Sequence, residues 1–189
     1  MHCQLYKTKA MQTQTKRILT FLHILSWILF VGVCIKTGAL LFSFFVSRFI
    51  NPVAALDLHL GLNLSDLMSY SIVHYTNLVI LLIITWAIRA YILYLVIQLY
   101  RKTNLVHPFS SDVAVLIKRI SYVSLALGAF ILMGKLYSNW LAGHGVALNN
   151  LHEYLEGAAE CFLMGGIIYF IAQVFNKGIE IQTENELTV

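Results

Sequence analysis

The chain has 189 residues, of which 59% are hydrophobic and 12% are charged. Soluble domains carry about 25% charged residues, so this composition excludes an ordinary soluble domain and points to the lipid bilayer as the surrounding medium. A net charge of +4 would suggest nucleic acid in a soluble protein. Here the basic residues gather at the ends of apolar runs, where they set membrane orientation, so no direct contact with nucleic acid is predicted.

Four long apolar runs follow one another along the chain. They predict helices over about 18–47, 73–100, 113–141 and 155–175, because each run exceeds the roughly 18 to 20 residues that span a hydrocarbon core. The runs do not alternate as barrel strands would, and lipid leaves helices as the other solution for the backbone. The sequence therefore predicts an all-α protein with a single membrane domain, four transmembrane helices and an acidic tail over 176–189.

The first connection, residues 51–72, is long and contains regularly spaced leucines, which are Leu56, Leu60, Leu64 and Leu67. Spacings of three and four residues place them on one face of a helix, which predicts a short amphipathic segment on the outer surface. The alternative is that Ser65-Asp66 begins a new turn.

The second connection contains Pro108, which lacks an amide donor and disfavours helix at the residue before it. The second helix should therefore end before this proline. Ser110, Ser111 and Asp112 follow and are candidate N-caps for the third helix.

Basic residues predict the orientation of the chain in the membrane. They concentrate in the N-terminal segment and around the second connection, at Lys7, Lys9, Lys16, Arg17, Arg101, Lys102, Lys118 and Arg119. The third connection, residues 142–154, has no lysine or arginine. Because cytoplasmic segments are enriched in these residues, both termini are predicted to be cytoplasmic.

Several ionisable residues lie inside or at the ends of the apolar runs, where each needs a partner or a route to water. At about 1.5 Å of rise per residue, Lys36, Lys135 and Glu160 fall in the outer leaflet. With the nearby Glu156 they form a predicted intramembrane polar cluster. The alternative is that the two lysines extend separately to the outer interface. Arg89 is expected to extend to an interface or to bond a carbonyl group.

At the outer end of the fourth helix, His152, Glu156 and Glu160 recur at intervals of four residues and would share one helical face, with His144 before them. Histidine and carboxylate side chains bind zinc-like ions, and histidine also senses pH, so His144, His152 and Glu156 are candidates for either role. The spacing does not match the HExxH motif of zinc proteases. The alternative is a solvated polar helix end, and no metal or other cofactor is predicted.

Small residues recur on the third and fourth helices. One predicted smooth face, on the third helix, consists of Ser121, Ser124 and Gly128. The other, on the fourth helix, consists of Gly157, Cys161 and Gly165, which are spaced four residues apart. Such faces let helix backbones approach closely in lipid. They are expected to hold the bundle together, or to hold a homodimer.

Two segments resemble a known family. They are His107-Pro108-Phe109-Ser110 with Lys118-Arg119-Ile120, and Phe175, Gly178 and Ile179 with Glu184-Asn185-Glu186-Leu187-Thr188-Val189. Both are similar to the bacterial family of domain of unknown function 2975. The resemblance implies four transmembrane helices in a bacterial inner membrane. It also implies a gene that often lies beside one for a small helix-turn-helix regulator, and it brings no known activity or catalytic residue.

Two functions remain open. The first is an interaction protein that docks a small DNA-binding regulator on a cytoplasmic surface made of Arg101, Lys102, Pro108, Phe109, Lys118, Arg119, Glu184 and Glu186. The second is a small transporter or channel that uses the intramembrane polar cluster. An enzyme is not predicted, because the sequence shows no nucleophile–base pair, phosphate-binding glycine loop or firm metal motif.

Overall fold

The computed structural model describes residues 2–103, 110–148 and 150–187; for residues 2–13, 15 and 185–187 it describes the backbone alone. The regular elements within these ranges are all helices. They are α1 (His2–Phe49), a 3-10 helix (Pro52–Leu56), α2 (Ser65–Tyr70), α3 (Ile72–Lys102), α4 (Ser111–Gly143), α5 (Leu151–Tyr154) and α6 (Ala158–Leu187). The four long helices are α1, α3, α4 and α6, and each is long and apolar enough to cross a membrane.

Helices α3 and α4 begin and end close to the limits that hydropathy predicts. Ser110 caps α4 by accepting a hydrogen bond from the Val113 amide at 3.4 Å, which confirms one of the predicted caps. The first and last of the long helices differ from the prediction, because α1 already begins at His2 and α6 continues to Leu187. Residues 176–187, expected to form a polar tail, include several good helix formers. The prediction missed this part of α6 because hydropathy detects the apolar part of a helix and not its polar continuation.

Each span packs mainly against the next span along the chain: α1 on α3, α3 on α4, and α4 on α6. Of the most apolar stretch of α1, 6% is buried, against 39% for α4. Helix α4 is therefore a central span, while α1 lies at the edge of the bundle. Among the described residues, α1 and α6 share no comparable interface.

The contact between α4 and α6 depends on small residues. Ser121, Ser124 and Gly128 are buried, as the sequence predicted for this face. The Ser121 hydroxyl donates a hydrogen bond to the Gly165 carbonyl at 2.9 Å. The other predicted face is partly wrong, because Gly157 precedes α6 with a φ of +92° and makes a turn rather than a helix contact. Gly157 therefore contributes backbone freedom, and Gly165 contributes the close approach.

The first connection folds back onto the bundle in two short helices, so the expected single amphipathic segment is wrong. Leu60 and Gly61 both have positive φ, which turns the chain between the 3-10 helix and α2. Helix α2 begins at Ser65, in agreement with the alternative reading of Ser65-Asp66. The leucine spacing predicted one continuous helix, but the turn at Leu60 divides the segment into two helices.

Leucines of this connection fill a core at one end of the bundle, with side chains from α1, α3, α4 and α5. Its buried members include Leu40, Leu58, Leu62, Leu64, Leu67, Tyr75, Leu78, Leu141, Tyr154 and Leu155. We call this end, which carries residues 50–71 and 144–157, the loop end. Leu60, by contrast, is 78% exposed.

The opposite end carries the α3–α4 connection and the two ends of the described chain. The His23 ring of α1 lies 6.0 Å from the Tyr100 ring near the end of α3, which shows that α1 begins on this side. Helix α6 starts at the loop end and therefore finishes here too. We call it the basic end, because Arg101, Lys118 and Arg119 are exposed on it.

Between the two ends the surface of the long helices is apolar, with many exposed large side chains on α1 and α6. Aromatic contacts mark both limits of this band. At the loop end they involve Tyr70, His74, Tyr137 and Trp140, and towards the basic end Trp27, Tyr94, Tyr100, Tyr122 and Tyr169. An apolar band between two aromatic belts is the pattern of a lipid-covered protein.

Candidate functional site

Two cations of the apolar spans meet on one aromatic ring. The Lys36 Nζ atom lies 3.9 Å from the centroid of the Trp86 ring, and the Arg89 Cζ atom lies 4.4 Å from the same centroid. The Tyr154 ring lies 4.7 Å from Lys36 Nζ. We call Lys36, Trp86, Arg89 and Tyr154 the cation–indole cluster. Each cation faces an aromatic quadrupole, an interaction that stabilises a desolvated charge by about 2 kcal/mol.

Hydrogen bonds from the loop end hold this cluster in place. Arg89 Nη2 donates to the backbone carbonyl of Glu156 at 3.3 Å, which confirms the carbonyl contact expected for Arg89. The Tyr154 hydroxyl donates to the His59 carbonyl at 2.5 Å. The cluster therefore links α1 and α3 to the first and third connections.

The charge of the cluster reaches the loop end. Burial and the nearby Lys36 ammonium both lower the pKa of His59 below its usual range, while Asp57 opposes them in part. His59 is therefore held neutral to a lower pH than a solvated histidine, since a second positive charge beside Lys36 is unfavourable.

The residues of the predicted intramembrane polar cluster divide between two places. Lys135, Glu156 and Glu160 line one cavity of about 580 Å³, whereas Lys36 belongs to the cation–indole cluster. Within the described residues, Lys135 and Glu160 make no ion pair shorter than 4 Å. The Glu156 carboxylate instead lies 2.8 Å from His152 Nδ1. The three charged side chains that line this cavity are exposed.

The candidate metal ligands are only partly close together. His152 contacts Glu156, but His144 Nδ1 lies 2.8 Å from the Trp140 carbonyl on its own helix. In the part of the chain that the structure describes, no three histidine, cysteine or acidic side chains converge as a metal site would require.

At the basic end, the structure places several residues of the predicted partner surface. Arg101, Lys102, Lys118 and Arg119 are all exposed. Lys102 Nζ pairs with Asp112 Oδ2 at 2.9 Å, which closes the α3–α4 connection. Pro108 and Phe109, also predicted for this surface, lie outside the described residues.

The acidic members of the predicted surface lie on the extended part of α6. Glu184 is exposed on this helix, and Glu186 lies within its last turn, although its side chain is outside the description. Lys177 Nζ and Glu180 Oε2 are 2.6 Å apart, an i,i+3 pair that supports this part of the helix. What was expected as a tail is therefore a charged helical surface.

The sequence analysis missed the aromatic half of the cation–indole cluster. Trp86 and Arg89 are three residues apart and therefore share a helix face, so a signal for that pair was present. Tyr154 and Lys36 lie far apart along the chain and meet only through the folding of the third connection, for which no local sequence signal exists.

Comparison with known proteins gave one match. A family model described as "Protein of unknown function (DUF2975)" matches residues 52–189, which covers the cation–indole cluster except Lys36 and includes three of the four spans. No curated protein and no solved structure matched the chain.

Proposed function

We propose that this chain, which belongs to the DUF2975 family, is a multi-pass protein of a bacterial inner membrane that docks a small helix-turn-helix regulator at its basic end. The membrane assignment is supported by four apolar helices and the two aromatic belts. The regulator is suggested by the gene neighbourhood that the family resemblance implies. In this proposal both termini and the α3–α4 connection face the cytoplasm.

The distribution of basic residues supports this orientation. Within the described residues, exposed lysines and arginines surround the α3–α4 connection. The connections at the loop end, residues 50–71 and 144–157, contain no lysine or arginine in the sequence. Short segments rich in these residues stay in the cytoplasm.

One observation carries the docking proposal: α6 projects beyond α4 at the basic end. Gly165 of α6 is level with Ser121 of α4, since the two are hydrogen bonded. Helix α6 continues about 22 residues beyond Gly165, whereas α4 begins only about 10 residues before Ser121. At 1.5 Å per residue, the projection is about 18 Å, which is more than three helical turns.

The projecting part of α6 offers both charge and an apolar anchor. Its exposed acidic residues, Glu180 and Glu184, match the basic surface that DNA-binding proteins present. Ile181 is 51% exposed on the same segment. Exposed ion pairs contribute only about 0 to 1 kcal/mol each, so an apolar contact is needed for stable docking.

Orientation is tested with reporter fusions. A reporter joined after Lys102 should read as cytoplasmic, and one joined after Ala147 as periplasmic. The reverse pattern would place the docking surface on the wrong side of the membrane and end the proposal.

Docking is tested with the purified chain in lipid nanodiscs and a purified small helix-turn-helix regulator from the same host. Deletion of residues 179–189 and the point variant Ile181→Asp should each weaken binding tenfold or more. Lys135→Glu, which changes a charge in the loop-end half, is the control and should bind as the parent does. Equal affinity of the parent and both α6 variants would remove this helix from the function.

A small transporter or channel is the second candidate. It is favoured by the cavity that Lys135, Glu156 and Glu160 line. All lining residues of this cavity belong to the loop-end half, from α4 and residues 152–162, so it does not by itself form a path across the bundle. Ion flux in proteoliposomes that Glu160→Gln abolishes would favour transport over docking.

A further inference from the structure

The cation–indole cluster has an unbalanced charge. The ion pairs in the described part of the chain are Lys102–Asp112, His152–Glu156 and Lys177–Glu180, so neither Lys36 nor Arg89 takes part in one. Glu156 accepts the hydrogen bond from Arg89 with its backbone carbonyl, and its side-chain carboxylate contacts His152 instead.

Both cations lie close to the same ring, and the distances to the Trp86 centroid place their charge centres at most about 8 Å apart. Two like charges this close within apolar spans repel each other more strongly than in water. Ionisable groups at this depth normally pair with an opposite charge. Among the described residues, the partners of these two cations are aromatic rings and one backbone carbonyl, and none is a carboxylate.

The same cluster contains an unused hydrogen-bond donor. The Trp86 Nε1 atom is buried and has no hydrogen-bond partner. An indole N–H can only donate, and a buried donor without an acceptor is unfavourable. An acceptor that enters the cluster would satisfy this donor and neutralise the two cations at once.

The two cations of the cluster are partly exposed and lie near the loop end. Lys36 and Arg89 are half-buried rather than enclosed. Tyr154 and the His59 carbonyl, which belong to the loop end, contact each other beside Lys36. Headgroups of the leaflet at the loop end therefore lie within reach of Lys36.

We infer that Lys36, Arg89 and the Trp86 indole N–H bind a phosphate-type oxyanion, carried either by an anionic phospholipid headgroup or by free phosphate. Guanidinium is suited to this ligand because its planar donors bind phosphate oxygens in pairs. The lysine supplies a second charge, and the indole supplies a neutral donor. This site is separate from the docking surface at the basic end, and its test is independent of any regulator.

The test uses the full chain in neutral detergent, in a Trp27→Phe/Trp140→Phe background, so that Trp86 is the reporter. Dioleoylphosphatidylglycerol and inorganic phosphate are titrated separately. Binding is followed by Trp86 fluorescence, and bound lipid is counted by native mass spectrometry. Saturable binding of the lipid assigns a headgroup, and saturable binding of inorganic phosphate alone assigns a soluble anion; both support the site.

Lys36→Gln and Arg89→Gln should each weaken binding of the active probe tenfold or more, while Arg89→Lys should lose less because it keeps the charge. Lys135→Gln is the matched control, since this lysine lies outside the cluster, and it should bind as the parent does. Circular dichroism of every variant checks that the helices are retained. The inference would be overturned if neither probe bound the parent saturably. It would also be overturned if folded Lys36→Gln and Arg89→Gln bound the probe as tightly as the parent does.

Discussion

Gly165 provides a sharp test of how α4 and α6 pack. A Cβ atom added at this position would lie 2.8 Å from both Cγ and Cδ2 of Leu125 and 3.2 Å from the Leu125 amide nitrogen. Rotation of the leucine side chain cannot relieve the contact with the backbone nitrogen. Helix α6 must therefore move away from α4, which also stretches the hydrogen bond from Ser121 to the Gly165 carbonyl.

The neighbouring Gly166 is a matched control, because a Cβ there meets no atom within 4 Å. Alanine favours a helix over glycine by about 1 kcal/mol at either position. Overpacking costs about 1 to 3 kcal/mol, and only Gly165→Ala incurs it. We therefore expect Gly165→Ala to be about 1 to 3 kcal/mol less stable than Gly166→Ala.

The assay is reversible unfolding by sodium dodecyl sulfate in mixed micelles, followed by tryptophan fluorescence. The two variants are compared with each other, so that the shared helix-propensity term cancels. Equal free energies of unfolding, or greater stability of Gly165→Ala, would refute the close approach of α4 and α6 at this residue.

Two further predictions concern the ends of the bundle. Burial and the nearby Lys36 lower the pKa of His59, and Asp57 opposes them in part. As the pH falls, His59 is therefore protonated in the unfolded chain before it is protonated in the folded chain. Stability, measured by thermal unfolding in detergent, should therefore fall as the pH drops below about 6.5, and His59→Gln should reduce this dependence. The exposed pair of Lys102 and Asp112 should contribute at most about 1 kcal/mol, so Asp112→Asn should lower stability slightly at low salt and not at 1 M salt.

Each of these results has a clear opposite. A pH profile of unfolding that is unchanged in His59→Gln would show that another group causes the acid sensitivity. A loss of several kcal/mol in Asp112→Asn, independent of salt, would show that the pair with Lys102 is buried by some further part of the chain.

Much of the architecture follows from hydropathy alone. The limits of α3 and α4 were predictable because both helices begin and end close to where the apolar run does. Helix α6 was predicted too short because its last turns leave the apolar band, so their stability depends on helix propensity and on pairs such as Lys177 with Glu180. Membrane hydropathy carries no information about either.

The candidate site was less predictable for a different reason. Charge and depth identify Lys36, Lys135 and Glu160 as unusual, but depth does not say which side of its helix each residue occupies in the bundle. The structure places Lys36 on Trp86 and puts Lys135 and Glu160 around a separate cavity. That division depends on the order in which the helices pack, which a single sequence does not encode locally.

The core at the loop end sets the order in which the protein can assemble. Its leucines from the first connection emerge early in synthesis, whereas Leu141, Tyr154 and Leu155, which pack against the same core, follow much later. Until α4 has crossed the membrane and residues 151–155 have followed, this core has the side chains of α1 and α3 but lacks those of α4 and α5. Insertion of α1 and α3 therefore yields an unfinished intermediate, and the arrival of the third connection closes it. A chain that stops before that point leaves part of the apolar surface of this core without its protein partners.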